Sequence, residues 1–118
     1  MHNFKKLNIW QKSMDLVTQI YVLTADYPSS EIYGITSQTR RSAVSIPLNI
    51  SEGSAKSSNK DFSRFLEMAI GSSNELETVL IVAKNVGFIN EKILEEYSEK
   101  IITLRKMISK FKDTLKED

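Results

Sequence analysis

Five polar residues recur at helical spacing in the first half of the chain and could form a binding surface, on which Arg41 and Asn49 would engage an anion. They are Gln38, Arg41, Ser45, Asn49 and Glu52. Steps of three or four residues place all five on one face of an α-helix. The guanidinium and amide groups of this polar stripe carry donors that engage phosphate or a carboxylate.

Three arrangements would satisfy the polar stripe, and the residues alone do not choose among them. In the first, Arg41 pairs within the chain with a carboxylate of the third helix, such as Glu67 or Glu75. In the second, the stripe lies in an interface between copies of the chain, and in the third it binds a ligand. Burial of one unpaired polar group would cost about 1–3 kcal/mol, so we expect each buried member to find a partner.

The rest of the chain offers little for catalysis. It has no cysteine, and its single histidine, His2, lies near the terminus, so a Ser-His-Asp arrangement has no credible base. No Glu-x-x-His motif of the di-iron bundles is present, and the four glycines are too scattered for a phosphate-binding loop. We therefore expect no enzymatic activity, no bound metal and no cofactor.

Apolar periodicity and capping residues predict four helices that would position the stripe. Asn8 is expected to cap the first, Ser58 the third and Asn90 the fourth, whereas Gly53 is expected to follow the end of the second. The predicted boundaries are Asn8 to Asp26, a start between Ser30 and Thr36 to Gly53, Ser58 to Gly87, and Asn90 to about Leu115.

Four amphipathic helices with short connections predict an all-α fold, an antiparallel up-down-up-down four-helix bundle. The chain of 118 residues is expected to form one domain, residues 1–118. The segment Gly71-Ser72-Ser73 interrupts the third helix with small side chains, and glycine there costs about 1 kcal/mol relative to alanine. It predicts a close helix crossing, either within the chain or with another subunit.

Charge and hydropathy limit the partners. The net charge is +1, which is not the footprint of a dedicated nucleic-acid binder. No apolar run approaches the ~20 residues of a membrane span, and no secretory signal is apparent, so we expect a cytoplasmic protein without a membrane partner.

Lys56, Lys60 and Arg64 fall together at one end of the predicted bundle. They could contact a nucleic-acid backbone, whereas matching of charges to helix dipoles explains the same distribution without a partner.

Three segments of the sequence resemble a known family. The first third contains Leu7-x-Ile9-Trp10-Gln11-Lys12 and Tyr27-Pro28-x-x-Glu31-x-Tyr33-Gly34-Ile35. The centre contains Gln38-x-x-Arg41-Ser42-Ala43-x-Ser45-Ile46-Pro47-x-Asn49-Ile50-x-Glu52-Gly53, and the third helix contains Phe65-Leu66-x-x-Ala69-x-Gly71-Ser72-x-x-Glu75-Leu76-Glu77-Thr78. This combination is similar to the bacterial four-helix bundle family named after proteins encoded in intervening sequences of 23S ribosomal RNA genes.

The resemblance implies a small bundle that commonly assembles as a homopentamer and has no established enzyme activity. One branch, the accessory variability determinant of diversity-generating retroelements, is strongly basic and binds nucleic acid and a reverse transcriptase. This chain departs from that branch in its charge. We therefore expect a non-enzymatic homo-oligomer that acts as a scaffold or accessory module through an unidentified protein partner, and the resemblance implies that it is a pentamer. The alternative is a nucleic-acid-binding accessory protein that uses the basic end.

Overall fold

Four α-helices make up the computed structural model, which describes residues 2–116; Met1, Glu117 and Asp118 lie outside the described part. The helices are α1 (Asn8–Thr24), α2 (Ile35–Ser54), α3 (Asn59–Asn85) and α4 (Glu91–Asp113). Short 3₁₀ helices, Phe4–Lys6 and Ser29–Glu31, precede α1 and α2. No strand occurs within residues 2–116, so the predicted all-α fold is confirmed.

The helices form an antiparallel four-helix bundle about 47 Å long. Consecutive helices are neighbours, and α1 meets α4 to close the arrangement. The packing is densest between α2 and α3 and sparsest between α1 and α4. The α2–α3 pair is therefore the most closely packed part of the molecule.

One apolar core runs through the bundle. Its fully buried side chains come from all four helices, as the periodicity predicted: Ile20, Ile46, Ile50, Phe62, Leu66, Leu76, Leu80, Ile101 and Ile108. Small polar side chains on α2 share this core because each hydroxyl bonds to the preceding turn. Thr39 Oγ1 donates to Ile35 O at 2.6 Å, and Ser42 Oγ donates to Gln38 O at 2.6 Å.

Two of the predicted helix caps are confirmed and two boundary residues are not. Ser58 accepts a hydrogen bond from Asp61 N at 3.1 Å, and Asn90 accepts one from Ile93 N at 2.8 Å. Asn8 is instead the first residue of α1, and Leu7 occupies the cap position without a side-chain bond. The prediction that Gly53 follows α2 is also wrong, because α2 continues through Ser54.

Gly53 is needed for helix packing. A Cβ added there would lie 2.7 Å from Phe65 Cβ and 2.9 Å from Phe62 Cδ1. Real Cβ atoms do not approach so closely, so only glycine lets α2 and α3 come together at this point. Gly87, with a φ of 88°, has the left-handed conformation that ends α3, in agreement with the sequence.

Candidate functional site

The outward side of α2 and α3 collects the polar stripe and a set of exposed apolar residues; we call it the α2–α3 face. Arg41, Gln38 and Glu52 lie exposed on α2, and Glu75 lies exposed on α3. Ser45, Asn49 and Ser72 are half-buried along the seam between the two helices. The structure therefore brings the polar stripe of α2 and Glu75 of α3 to one surface.

The three seam residues form a short chain of hydrogen bonds. Ser45 Oγ and Ser72 Oγ are 2.7 Å apart, and Ser72 Oγ donates to Met68 O at 3.1 Å. Because Ser72 has one hydroxyl proton, Ser45 is the donor between the two serines. Asn49 Nδ2 donates to Ser45 Oγ at 3.2 Å and to Ser45 O at 2.9 Å. Ser45 and Asn49 therefore have hydrogen-bond partners within the chain.

Arg41 does not join this network. Among residues 2–116, its guanidinium has no ion pair or hydrogen bond, and the carboxylates of Glu52 and Glu75 have none either. Glu67, the other expected partner, pairs with Lys112 Nζ at 3.3 Å. The predicted intrachain pairing of Arg41 with Glu67 or Glu75 is therefore wrong. Helical periodicity shows which face a residue occupies, but it does not fix the reach of its side chain.

The face also exposes several large apolar side chains. Leu48 on α2 is 59% exposed, and Met68 and Val86 on α3 are 53% and 57% exposed. Tyr33, just before α2, is 96% exposed. The apolar periodicity of the core did not predict these residues because they lie outside the core stripe, although Met68, Glu75 and Val82 repeat at two-turn spacing along α3.

Gly71 lies on the outward side of α3, and a Cβ built on it has no neighbour within 4 Å. At Gly71 itself no other helix of residues 2–116 comes close, whereas Ser72 and Ser73 contact α2 and α4 of the same chain. The alternative, a crossing with another subunit, remains a prediction. Ser73, two residues on, does pack inside the bundle and accepts a hydrogen bond from Arg105 Nε at 3.0 Å.

A shallow cavity of about 610 Å³ lies at the end of the α2–α3 face where α2 begins. Glu31 lines it and accepts a hydrogen bond from Ile35 N at 3.2 Å, which caps the start of α2. The remaining lining is Tyr33, Gly34, Ile35, Gln38, Val82, Val86 and Phe88. Its walls are mostly apolar, so it extends the exposed apolar surface and presents no cluster of catalytic groups.

The residues predicted to contact nucleic acid lie on the exposed surface near the α2–α3 connection. Arg64 lies 3.7 Å from Asp61, a largely exposed ion pair, and Lys56 Nζ lies 5.0 Å from the centre of the Phe65 ring. Lys60 is exposed. Two of the three cations therefore already contact other side chains, and binding of nucleic acid remains a prediction.

The groove between α1 and α4 was not anticipated from the sequence. It encloses about 430 Å³ over Leu16, Leu104 and Met107. Lys100 on its rim donates to Gln19 Oε1 at 2.6 Å and lies 3.6 Å from Glu96. The groove follows from the sparse packing of α1 against α4, a tertiary property that helix periodicity does not encode.

Within residues 2–116, no three His, Asp or Glu side chains lie close enough together to hold a metal ion. His2 packs its ring against Phe62 and Phe111, at centroid distances of 5.1 and 5.9 Å. None of the helices in this part of the chain is both long and apolar enough to span a membrane.

Fold and surface together define a small four-helix bundle with a mixed polar and apolar face on its second and third helices. Residues 5–110 match the family model of the 23S rRNA-intervening sequence protein, and the chain belongs to that family. The family resemblance given by the sequence motifs is thereby confirmed.

A crystal structure of a protein of unknown function from the S23 ribosomal protein family of Bacteroides thetaiotaomicron has the same fold. It superposes with a TM-score of 0.80 at 24% sequence identity, over 90% of this chain and 96% of that one. No curated protein matches the chain.

Proposed function

We propose that this protein is a non-enzymatic homo-oligomeric scaffold that assembles through its α2–α3 face. One observation carries the proposal: three charges without a partner among residues 2–116, Arg41, Glu52 and Glu75, share a surface with exposed apolar side chains. An apolar patch with a polar rim is typical of protein interfaces. The family resemblance implies five copies, and an accessory role toward other proteins is part of the same proposal.

Self-association is favoured over a ligand site by the shape of the surface. The cavity at the end of the face is shallow and open, whereas small-molecule sites enclose most of their ligand. The polar groups of the face are also spread along α2, from Gln38 to Glu52. A helix from another copy could contact this whole length at once.

The experiment is the molar mass of the purified protein, measured by size-exclusion chromatography with light scattering at micromolar concentration. We expect the parent to form a homo-oligomer of five copies and Leu48→Lys to dissociate, because a charge would replace an exposed apolar side chain of the face. The matched control is Val22→Lys on α1, at a side chain 69% exposed, which should retain the parent mass. A parent that elutes as a monomer would contradict the proposal.

A further inference from the structure

We infer that assembly packs α2 of one copy antiparallel against α3 of the next at equal height, with Arg41 opposite the neighbouring copy's Glu75. This inference rests on the proposed self-association and specifies its geometry. The partner on the α2–α3 face is a second copy of this chain, because the charges and sizes of the side chains match along the two helices.

The hydrogen bond between Ser45 and Ser72 fixes the relative height of α2 and α3 within one chain. Because the helices run antiparallel, a residue four positions before Ser45 on α2 lies at the same height as a residue four positions after Ser72 on α3. Arg41 is thus level with Leu76 and within one residue, about 1.5 Å, of the height of Glu75. The same rule places Leu48 within one residue of the height of Met68.

Copies related by rotation about an axis parallel to the helices keep every residue at its own height. If α2 of one copy contacts α3 of its neighbour in such an assembly, residues that lie at equal height within one chain therefore also lie at equal height across the contact. Arg41, Ser45 and Leu48 all follow one outward side of α2 at helical spacing, and Glu75, Gly71 and Met68 follow one outward side of α3 in the reverse order.

Every level along this contact pairs compatible side chains. The opposed residues, from one end to the other, are Gln38 with Thr78, Arg41 with Glu75, Ser45 with Gly71, Leu48 with Met68, and Glu52 with Arg64. Two levels join opposite charges, one joins two large apolar side chains, one joins two polar side chains and one joins two small residues. Each of the five pairs is shifted by one residue from the register set by Ser45 and Ser72. A single placement of the two helices therefore brings all five pairs together.

The contacts within each chain agree with this placement. The two carboxylates of the contact, Glu52 and Glu75, and the guanidinium of Arg41 have no partner among residues 2–116. In the same part of the chain, Arg64 has only the exposed pair with Asp61 at 3.7 Å. Gly71 has open space around its Cβ position, which is where the backbone of a neighbouring helix would approach most closely.

The test is charge reversal at the central pair, read by native mass spectrometry and light scattering. Arg41→Glu and Glu75→Arg should each weaken assembly tenfold or more, because like charges would face each other at every contact. The double variant Arg41→Glu/Glu75→Arg should restore the parent assembly. Lys106→Glu and Glu95→Arg, at exposed α4 residues, are controls of equal charge change that should leave assembly intact.

An equal mixture of the two single variants reports the number of copies. Opposite charges meet at every contact only if the variants alternate around the ring, which an odd number of copies forbids. For a five-membered ring we therefore expect the mixture to fail where the double variant succeeds. Restoration by the mixture, with an even number of copies, would support the pairing and contradict the pentamer.

The two proposals fail in different ways. If the parent assembles but the single reversals do not weaken it, or the double variant does not restore it, the pairing of Arg41 with Glu75 is overturned and self-association stands. A monomeric parent overturns both proposals. Thermal unfolding followed by circular dichroism should show that each variant keeps its helical fold, since both side chains are exposed and neither has a hydrogen bond or ion pair among residues 2–116.

Discussion

At the scale of single residues, Tyr27 stands apart because its hydroxyl is the buried side-chain polar atom without a hydrogen-bond partner among residues 2–116. The side chain is 6% exposed, and its ring packs against Phe88 with centroids 5.5 Å apart. Burial, together with the nearby Tyr97 hydroxyl, raises the pKa of Tyr27 to about 12. The core thus holds this tyrosine in its neutral form and leaves the hydroxyl unsatisfied.

We expect Tyr27→Phe to stabilise the protein by about 1 kcal/mol at pH 7, because it removes an unsatisfied buried hydroxyl and keeps the ring. The parent should also lose stability as the pH rises from 10 to 12. In that range the unfolded tyrosine releases its proton while the folded one retains it, which amounts to ~1 kcal/mol by pH 11. Urea denaturation of both proteins at pH 7 and pH 11 measures the difference.

The stability gap between Tyr27→Phe and the parent should therefore widen at high pH. Tyr97, whose pKa is also raised, titrates in both proteins and cancels in the comparison. A gap that stays constant between pH 7 and pH 11 would show that the Tyr27 hydroxyl does not titrate as proposed.

At the scale of helices, two glycines in the α2–α3 pair have opposite surroundings. Gly53 sits against the Phe65 and Phe62 side chains, whereas Gly71 faces open space. Side-chain hydrogen bonds link two other helix pairs. Arg40 Nε donates to Thr24 Oγ1 at 2.8 Å between α2 and α1, and Arg105 Nη2 donates to Glu77 Oε1 at 2.8 Å between α4 and α3. The α2–α3 contact combines the Ser45–Ser72 hydrogen bond with the close approach that Gly53 permits.

The two glycines should respond oppositely to alanine. Gly53→Ala should lower the free energy of unfolding by about 1–3 kcal/mol, because its methyl would overlap Phe65. Gly71→Ala should raise that free energy by up to about 1 kcal/mol, since alanine favours the helix and meets nothing in the chain. Urea denaturation in the Arg41→Glu background separates these effects from assembly. Equal effects of the two substitutions would contradict the packing described for Gly53.

At the scale of the whole molecule, charge is nearly balanced, with 16 basic and 15 acidic residues. The basic side chains near the α2–α3 connection are partly engaged, as the Arg64–Asp61 pair shows. Nucleic-acid affinity depends on the number of phosphates that free cations neutralise. Assembly through the α2–α3 face would also place Arg64 opposite a carboxylate, so that Arg64 would no longer be free to neutralise a phosphate.

We therefore expect the parent to show no salt-sensitive retention on immobilised RNA at about 50 mM salt, with the same result after Lys56, Lys60 and Arg64 are all changed to Glu. Elution over a salt gradient measures both proteins. Retention of the parent that the triple variant loses would instead establish the alternative function, a nucleic-acid-binding accessory protein that uses this end of the bundle.

The sequence determined the helices, the core and the family, because these depend on local and periodic information. Apolar residues at steps of three and four predicted the buried side chains, and Ser58 and Asn90 cap their helices as expected. The motifs of the first third, the centre and the third helix together indicated the family that the match over residues 5–110 shows.

Only the tertiary structure decided which polar groups meet. Whether Arg41 reaches Glu75 depends on the separation and rotation of α2 and α3, and these follow from packing across the whole bundle. The tertiary structure also decided the role of Gly53. This glycine is needed because aromatic side chains of α3 pack against it, and not because it ends α2. Periodicity assigns a residue to a face, whereas its partner is set by distances between helices, which the sequence of one helix does not contain.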